Sequence, residues 1–307
     1  MAPEQVLVLD AARSPFGARG GELASVGAEA LVAGVVVPLV QRAGVLDGGI
    51  GATWAGGPGV TPALAAAAAR AAGGDEAAAV ALDHGAASGM TAIGAAARAV
   101  ATGAAPVALA VAVARMSDAP APEVDGAGGA AGAAAVERTQ SRWLAAYHRG
   151  AFVREVLAVA GVAYDEHPVA GGFADGAAAV VLGAPGAVPD AQPLARVVAV
   201  ETLSEDELEA LPGRLGWGWD GVDLIELHEP SGAGAAEWLT RLGERAERVN
   251  VDGGSLAIGD PAGVTGARLV VSLADLLRRR EGVERGLAIL PVGDGVIHVV
   301  ALAAPPR

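Results

Sequence analysis

The side chains that could carry chemistry in this chain are histidines and carboxylates, because its 307 residues include no cysteine. Without cysteine a protein forms no disulfide, no thiolate zinc site and no cysteine nucleophile. The sequence has five histidines, and none of them shows, together with Asp or Glu, the spacing of a metal site. We therefore predict no metal and no cofactor, and a reaction would use imidazole and carboxylate groups as general acids and bases.

Three candidate residues have a structural explanation as well as a functional one. Ser88, in GAASG, lacks the Gly-x-Ser-x-Gly spacing of a nucleophile elbow and suits the N-cap of a helix. Asp260 precedes Pro261 and an apolar stretch, which is the pattern of an N-cap followed by proline at the first helical position. His84 follows an apolar run and could be a structural histidine at a strand end. Both explanations stay open for each residue.

Two glycine-rich turns could offer backbone donors to a substrate. Gly254 belongs to the pair at 253–254, and Gly293 begins a Gly-Asp-Gly turn. Backbone N–H groups in such turns can form an oxyanion hole, although a tight turn that needs a positive φ requires glycine equally. Gly254 and Gly293 are candidate substrate-binding positions on this basis.

Composition argues against two classes of partner. A net charge of −14 would repel a phosphate backbone, and no basic cluster interleaved with aromatic residues is present. The N-terminus lacks a basic segment followed by a long apolar core, and no uninterrupted apolar run is long enough to span a bilayer. We predict a cytoplasmic protein that binds neither nucleic acid nor membrane.

Short apolar runs alternate with helical stretches along the chain. The runs predict buried strands at 5–10, 77–83, 106–114, 177–183, 196–202, 222–227, 286–292 and 296–303. Helices are predicted at 24–43, 62–73, 88–103, 138–158, 232–243 and 262–280. This alternation predicts an α/β fold with mostly parallel pairing. The Pro, Gly and Ala-rich stretch 117–136 predicts a loop between two halves.

Several segments, in order and over nearly the whole chain, resemble the thiolase family. Near the N-terminus, ARSPFG resembles the family's Arg-(Thr/Ser)-Pro-Phe-Gly turn, and DHGAASGMTAIGAAARAVATG resembles its nucleophile strand and helix. Further on, VDLIELHEPSGAGAAEWL, NVDGGSLAIGDPAGVTGAR and LPVGDGVIHVVAL resemble the three C-terminal motifs. The resemblance implies a layered αβαβα fold built from two similar halves with a shortened loop domain.

The resemblance also implies a division of the chain and a mode of association. The N-terminal half would occupy 1–116, a reduced loop region 117–172, and the remaining strand of the first half with the C-terminal half 173–307. Much of the loop domain that holds coenzyme A in the family would lie in the reduced region, which argues against a coenzyme A site. Because the family dimerises across the strand at 77–83, a homodimer is expected, or a heterodimer with a thiolase-like or small acyl-binding protein.

The family's reactive positions are all changed in this sequence. The nucleophilic cysteine corresponds to Ala86 and the second cysteine to Pro291, neither of which can form an acyl-enzyme or abstract a proton. The histidine of Gly-His-Pro corresponds to Asp260, and the asparagine of Asn-Glu-Ala-Phe to His228. The resemblance also implies that one pocket, which corresponds to the family's active site, contains His84, Ser88, His228, Glu229 and Asp260.

Two functions follow as alternatives. In the first, a non-Claisen thiolase-like enzyme acts on an acyl or carbonyl substrate, free or bound to a carrier protein, with His228, Asp260 and His84 as general acids and bases. Acyl transfer, cyclisation, hydrolysis and carbon–carbon cleavage would each fit. In the second, a catalytically inactive thiolase-like subunit stabilises or regulates an active partner. Burial would lower the pKa of an imidazole in this pocket, and a nearby carboxylate would oppose that shift.

Overall fold

A computed structural model describes residues 5–45, 47–119, 129–159 and 172–305. Within these ranges the strands are β1 Val6–Arg13, β2 Gly17–Ala18, β3 Ala52–Gly56, β4 Ala79–Leu82, β5 Val107–Ala114, β6 Ala174–Gly183, β7 Ala195–Leu203, β8 Leu224–Leu227, β9 Arg285–Gly293 and β10 Val296–Ala303. The helices are α1 Ala28–Arg42, α2 Pro62–Ala71, α3 Ser88–Ala101, α4 Gly129–His148, α5 Glu205–Arg214, α6 Gly232–Leu242, α7 Ser255–Ile258 and α8 Thr265–Arg279.

The strand order shows the same arrangement twice. In the first half it is β4-β3-β5-β6-β1, with parallel pairs β4–β3 and β3–β5 followed by antiparallel pairs β5–β6 and β6–β1. In the second half β8-β9-β10-β7 has the same directions, and a parallel bridge from Ile225 to Val249 occupies the position that corresponds to β4. The two halves join where β1 pairs with β7. The prediction of a layered α/β fold with two similar halves is confirmed.

The prediction of mostly parallel pairing is wrong. Antiparallel pairs predominate in the centre of the sheet, and parallel pairs occur toward its two edges. The alternation of strands and helices indicates crossover connections, but it does not reveal that β9 returns as β10 through a hairpin. That hairpin turn has positive φ at Gly293, Asp294 and Gly295.

Three apolar cores separate the layers. Helices α1 and α2 cover one face of the first half, α5 and α6 cover one face of the second, and α3 and α8 lie in the core between the halves. The central helices approach closely because small residues face each other. A methyl group on Gly89 would lie 2.9 Å from the Ala267 Cβ, and one on Gly266 would lie 2.8 Å from the Met90 Cγ. The many alanines and glycines of this chain therefore permit close packing of backbones.

Helix α4 was placed wrongly by the sequence, which predicts a loop at 117–136 and a helix at 138–158. The structure has helix from Gly129 to His148, and the remaining residues of the predicted loop at 120–128 lie outside the described ranges. The buried positions of α4 recur at helical spacing, but most are small: Gly132, Ala135, Thr139, Trp143 and Ala146. When the buried positions of a helix are alanines and its exposed positions are also alanines, the two faces do not differ in hydrophobicity. The helical periodicity is then not visible in the sequence.

Strand β3 and helix α5 are further elements that the sequence did not predict. β3 is short and is followed by glycine, which indicates a turn. The structure explains the glycine at position 57 by the close approach of strand β5. A methyl group on Gly57, whose φ is +147°, would lie 2.1 Å from the Val113 carbonyl oxygen. Across the described ranges, no helix is both long and apolar enough to cross a membrane. The division at 116 and 172 stays a prediction.

Candidate functional site

His228 and Asp260 meet between the two halves. His228 directly follows β8, and its backbone N–H donates to the Ile289 carbonyl of β9 at 3.0 Å. Asp260 lies in the loop before α8, and its backbone is tied to the start of β6 through the Ala174 N–H at 3.0 Å. The His228 Nε2 lies 3.8 Å from the Asp260 Oδ2. The structure therefore brings together two of the three residues predicted to be catalytic.

The His228 imidazole is buried and incompletely hydrogen-bonded. It is 6% exposed, and the described residues offer its Nδ1 no hydrogen-bond partner. Burial lowers the pKa of His228, and the nearby Asp260 carboxylate opposes that shift. A buried ring nitrogen without a partner costs free energy unless a ligand or water satisfies it. This atom is the part of the site that most clearly needs a partner.

The His228 and Asp260 side chains lie close together without a hydrogen bond between them. The distance of 3.8 Å between the His228 Nε2 and the Asp260 Oδ2 exceeds hydrogen-bonding range. The Asp260 Oδ1 accepts a hydrogen bond from the Thr265 hydroxyl instead. The sequence analysis did not predict a role for Thr265, the first residue of α8, although its place five residues after Asp260 is visible in the sequence.

Two helix-cap interpretations from the sequence are wrong. Helix α8 begins at Thr265 and its N-cap residue is Val264, so Asp260 lies before the cap. Ser88 is the first residue of α3, and the N-cap residue is Ala87. The Ser88 hydroxyl accepts from the His84 N–H and donates to the Gly85 carbonyl, both at 2.8 Å. Ser88 thus closes the turn that carries Ala86 and is fully buried there.

Glu229 clamps three elements and does not face an open space. One of its carboxylate oxygens accepts from the Thr139 hydroxyl of α4 at 2.6 Å, and the other accepts from the Leu256 N–H of α7 at 3.4 Å. A methyl group on Gly254 would lie 2.4 Å from the Glu229 Oε2. Gly254 is therefore required for close approach to this carboxylate, and Thr139 is a supporting residue that the sequence did not indicate.

His84 is not part of the His228–Asp260 pair. Its imidazole is exposed, its Nδ1 lies 2.8 Å from the Thr91 hydroxyl, and its ring stands edge-on to that of His298. These contacts of His84 are with Thr91 and His298, and the expectation that it shares one pocket with His228 and Asp260 stays a prediction.

Ala86, Pro291 and Gly293 lie at the edges of the site region. The turn containing Ala86 packs on the loop before α8, because the Gly89 N–H donates to the Gly263 carbonyl at 2.8 Å. Pro291 lies in β9 opposite Ile297, and Gly293 is the exposed last residue of β9, where the hairpin turn begins. The positive φ of +95° at Gly293 accounts for glycine there without a ligand.

A buried pair of arginine and glutamate side chains lies next to the site and connects the elements that carry it. The Arg268 Nη1 donates to the Glu226 carboxylate of β8 at 2.9 Å, and its Nη2 lies 3.3 Å from the Ser255 hydroxyl of α7. Arg268 and Glu226 are 1% exposed. This pair links α8, α7 and β8, the strand that His228 directly follows. No motif in the sequence distinguished these charges from surface residues.

Two family models match the chain at the positions where these motifs lie. The thiolase N-terminal domain matches residues 6–136, and the thiolase C-terminal domain matches residues 205–304. The chain belongs to the thiolase family. Both halves of the thiolase architecture are represented, with Ala86 in the N-terminal match and His228, Asp260 and Pro291 in the C-terminal match.

Curated relatives and solved structures agree with this assignment. The chain is 35% identical over 139 residues to the cytosolic acetyl-CoA acetyltransferase of Mus musculus, which covers 41% of the chain and 35% of the relative. It is 37% identical over 139 residues to the acetyl-CoA acetyltransferase of Rhizobium meliloti, with the same coverage. The alignments thus span about a third of the length of these relatives. The structure of human mitochondrial 3-ketoacyl-CoA thiolase in complex with CoA superimposes with a TM-score of 0.84 at 23% identity, covering 99% of this chain and 98% of that one.

These comparisons correct the predicted function. The sequence suggested a non-Claisen enzyme working by His/Asp acid–base chemistry, but the relatives are named acetyl-CoA acetyltransferases and the structural match is a 3-ketoacyl-CoA thiolase. The expectation of a separate non-Claisen reaction is wrong.

Proposed function

We propose that this thiolase-family chain binds an acyl thioester of coenzyme A at the His228–Asp260 site and serves acyl transfer of the acetyl-CoA acetyltransferase class. The observation that carries the proposal is the buried Nδ1 of His228, which has no partner among the described residues. The names of the relatives and the coenzyme A complex of the structural neighbour supply the substrate class.

The surroundings of His228 suit the carbonyl of a thioester. Helix α8 begins beside the site, because Thr265 hydrogen-bonds Asp260. Helix α3 begins against the loop before α8, where the Gly89 N–H donates to the Gly263 carbonyl. The N-terminal ends of helices carry partial positive charge that favours developing negative charge on a carbonyl oxygen. With its Nδ1 protonated, the neutral His228 ring would donate a hydrogen bond to that oxygen.

The absence of cysteine limits what this chain does by itself. The acyl group cannot be carried on a sulfur atom of a chain that has no cysteine, and the thiolate is the nucleophile in cysteine catalysis. We place the nucleophilic thiol on a second, cysteine-bearing thiolase-family chain in the same assembly. This chain contributes the binding of the thioester, and the partner contributes the covalent step.

Strand β4 is the proposed contact with that partner. It is the last strand of the first half's sheet order, so one of its edges has no strand beside it among the described residues. Val80 in the middle of β4 is 46% exposed. An uncovered edge strand with an exposed apolar side chain is a ready surface for pairing with another chain.

A binding titration tests the proposed function. Untagged protein is titrated with a non-hydrolysable acetyl-CoA analogue, in which a methylene group replaces the thioester sulfur, and separately with free coenzyme A. The same titrations use His228→Ala and, as a matched control, His148→Ala, because His148 is an exposed histidine at the end of α4. Calorimetry measures both affinities. If the wild-type chain binds neither ligand, the proposed function is wrong.

A further inference from the structure

An open groove outside the proposed thioester site holds two of the five histidines. It lies between α3 and the strands β7 and β10, and its polar lining consists of His84, Thr91, Arg98, Glu201, Thr202 and His298. His84 belongs to the first half of the molecule and His298 to the second. The groove therefore spans the junction of the halves, and none of its side chains is used by the His228–Asp260 site.

Both imidazoles are anchored in the same way. The His84 Nδ1 lies 2.8 Å from the Thr91 hydroxyl oxygen, and the His298 Nδ1 lies 3.0 Å from the Thr202 hydroxyl oxygen. When Nδ1 donates its proton to such an acceptor, Nε2 is left as an unprotonated lone pair. Histidines that bind metals usually have this arrangement, in which a hydrogen bond from the other ring nitrogen fixes the tautomer and the orientation.

The separation of the two rings suits a shared ion. Their centroids are 5.2 Å apart and their planes are inclined by 84°. An ion bound at about 2.0–2.1 Å from one nitrogen of each ring, with a near-tetrahedral angle between the bonds, places the ring centres about 5 Å apart. The observed separation of the ring centres therefore matches that of two histidines sharing one ion.

We propose that His84 and His298 bind a divalent transition-metal ion of the zinc and copper class through their Nε2 atoms. Imidazole nitrogen is a preferred ligand for these ions. In the described part of the chain, no group of three or more His, Cys, Asp and Glu side chains is arranged to hold a metal, so the site has two protein ligands and water completes the coordination. Sequence spacing does not indicate it, because the two histidines lie near opposite ends of the chain.

Binding at this site would join the two halves. The ion links the turn before α3 to strand β10, and an ion that binds the folded state alone raises its stability by mass action. The predicted consequence is a rise in the midpoint of thermal unfolding when zinc is added to the untagged chain.

The test uses zinc by calorimetry and thermal unfolding, and copper(II) by electron paramagnetic resonance. Wild-type protein should bind one ion, with two nitrogen ligands in the copper spectrum. Thr91→Val keeps the side-chain shape but removes the anchor of His84, and should weaken zinc binding by about 10–100-fold. His84→Ala should weaken it further and abolish the thermal shift.

Controls separate this site from other binding. His148→Ala should leave zinc affinity unchanged, and all variants should retain the circular dichroism spectrum of the wild type. The exposed position of His84 means that its truncation does not threaten the fold. Equal zinc affinity in His84→Ala and wild type would overturn the proposal, as would loss of binding in His148→Ala alone.

Discussion

At the scale of single residues, the chain buries two arginine–glutamate pairs, whose side chains are almost fully shielded from solvent. Arg13 and Glu155 are in contact at 2.5 Å, and Arg268 and Glu226 at 2.9 Å, with side chains at most 3% exposed. Such pairs carry a large desolvation cost, and for Glu226 this desolvation favours the protonated carboxyl. Glu226 also belongs to β8, which His228 directly follows, so its protonation state affects the packing beside the site.

The pH dependence of stability should reveal the protonation of Glu226. Burial raises the pKa of Glu226 from 4.5 to about 8, against the opposing influence of Arg268. Between these two pH values the folded chain keeps a proton that the unfolded chain releases, so this group makes the protein less stable as pH rises from about 5 to 8. Glu226→Gln removes the effect, because glutamine resembles the protonated carboxyl.

Thermal unfolding of both proteins across that pH range checks the sign. The difference in free energy of unfolding between Glu226→Gln and the wild type should shift in favour of the variant as pH increases. Parallel pH profiles for the two proteins would show that Glu226 is ionised throughout, and the burial argument for this residue would fail.

At the scale of elements, Glu229 holds α4 and α7 against the end of β8. This clamp depends on the close approach of Gly254, where a methyl group would lie 2.4 Å from the Glu229 Oε2 and 2.7 Å from the Asn250 Nδ2. Asn250 in turn hydrogen-bonds the N–H and the carbonyl of Leu227 at 2.8 and 3.0 Å. The position of His228 next to this assembly follows from packing and hydrogen bonds of its neighbours.

Gly254→Ala should disturb this clamp. We expect a loss of about 1–3 kcal/mol in the free energy of unfolding, typical of overpacking in a filled region. The matched control is Gly213→Ala near the end of α5, where a methyl group meets nothing within 4 Å. The control should be neutral or stabilising by about 0.5–1 kcal/mol, since alanine suits a helix better than glycine. Chemical denaturation measures both, and equal effects would contradict the close-approach argument.

The sequence predicted elements more successfully than it predicted contacts. Strands such as β5 and β10 are apolar runs bounded by turns, and their bounds were predicted within a few residues. Helix α4 was misplaced because its buried stripe is made of small residues. The pairing of His228 with Asp260 came from family resemblance, while the clamp of Glu229 by Thr139 depends on a helix whose position the sequence did not reveal.

At the scale of the whole molecule, the two halves repeat one topology but differ at their outer edges. In the first half β4 forms a regular outer strand, whereas in the second half a single bridge at Val249 takes the equivalent place. β4 is partly exposed, whereas all four residues of β8 at the other end of the sheet are buried, so the exposed edge is on the first half, next to the turn that carries Ala86. This asymmetry is why association is proposed through β4.

Val80→Lys should weaken association without unfolding the chain, because the side chain is 46% exposed and a lysine on an edge strand opposes pairing. Val153→Lys is the matched control, since Val153 is 84% exposed and lies outside the strands. Light scattering coupled to gel filtration measures the mass of each protein, alone and with a cysteine-bearing thiolase from the same source. A complex that survives in Val80→Lys as fully as in Val153→Lys would exclude β4 as the contact.

The central claim is that His228 recognises the carbonyl of a coenzyme A thioester in a thiolase-family chain that has no cysteine. The titration with the acetyl-CoA analogue and free coenzyme A tests this claim most directly, because the two ligands differ at the acetyl group. Loss of one hydrogen bond to the carbonyl in His228→Ala should weaken binding of the analogue by about tenfold and leave binding of free coenzyme A unchanged. Equal affinity of wild type and His228→Ala for the analogue would contradict the account.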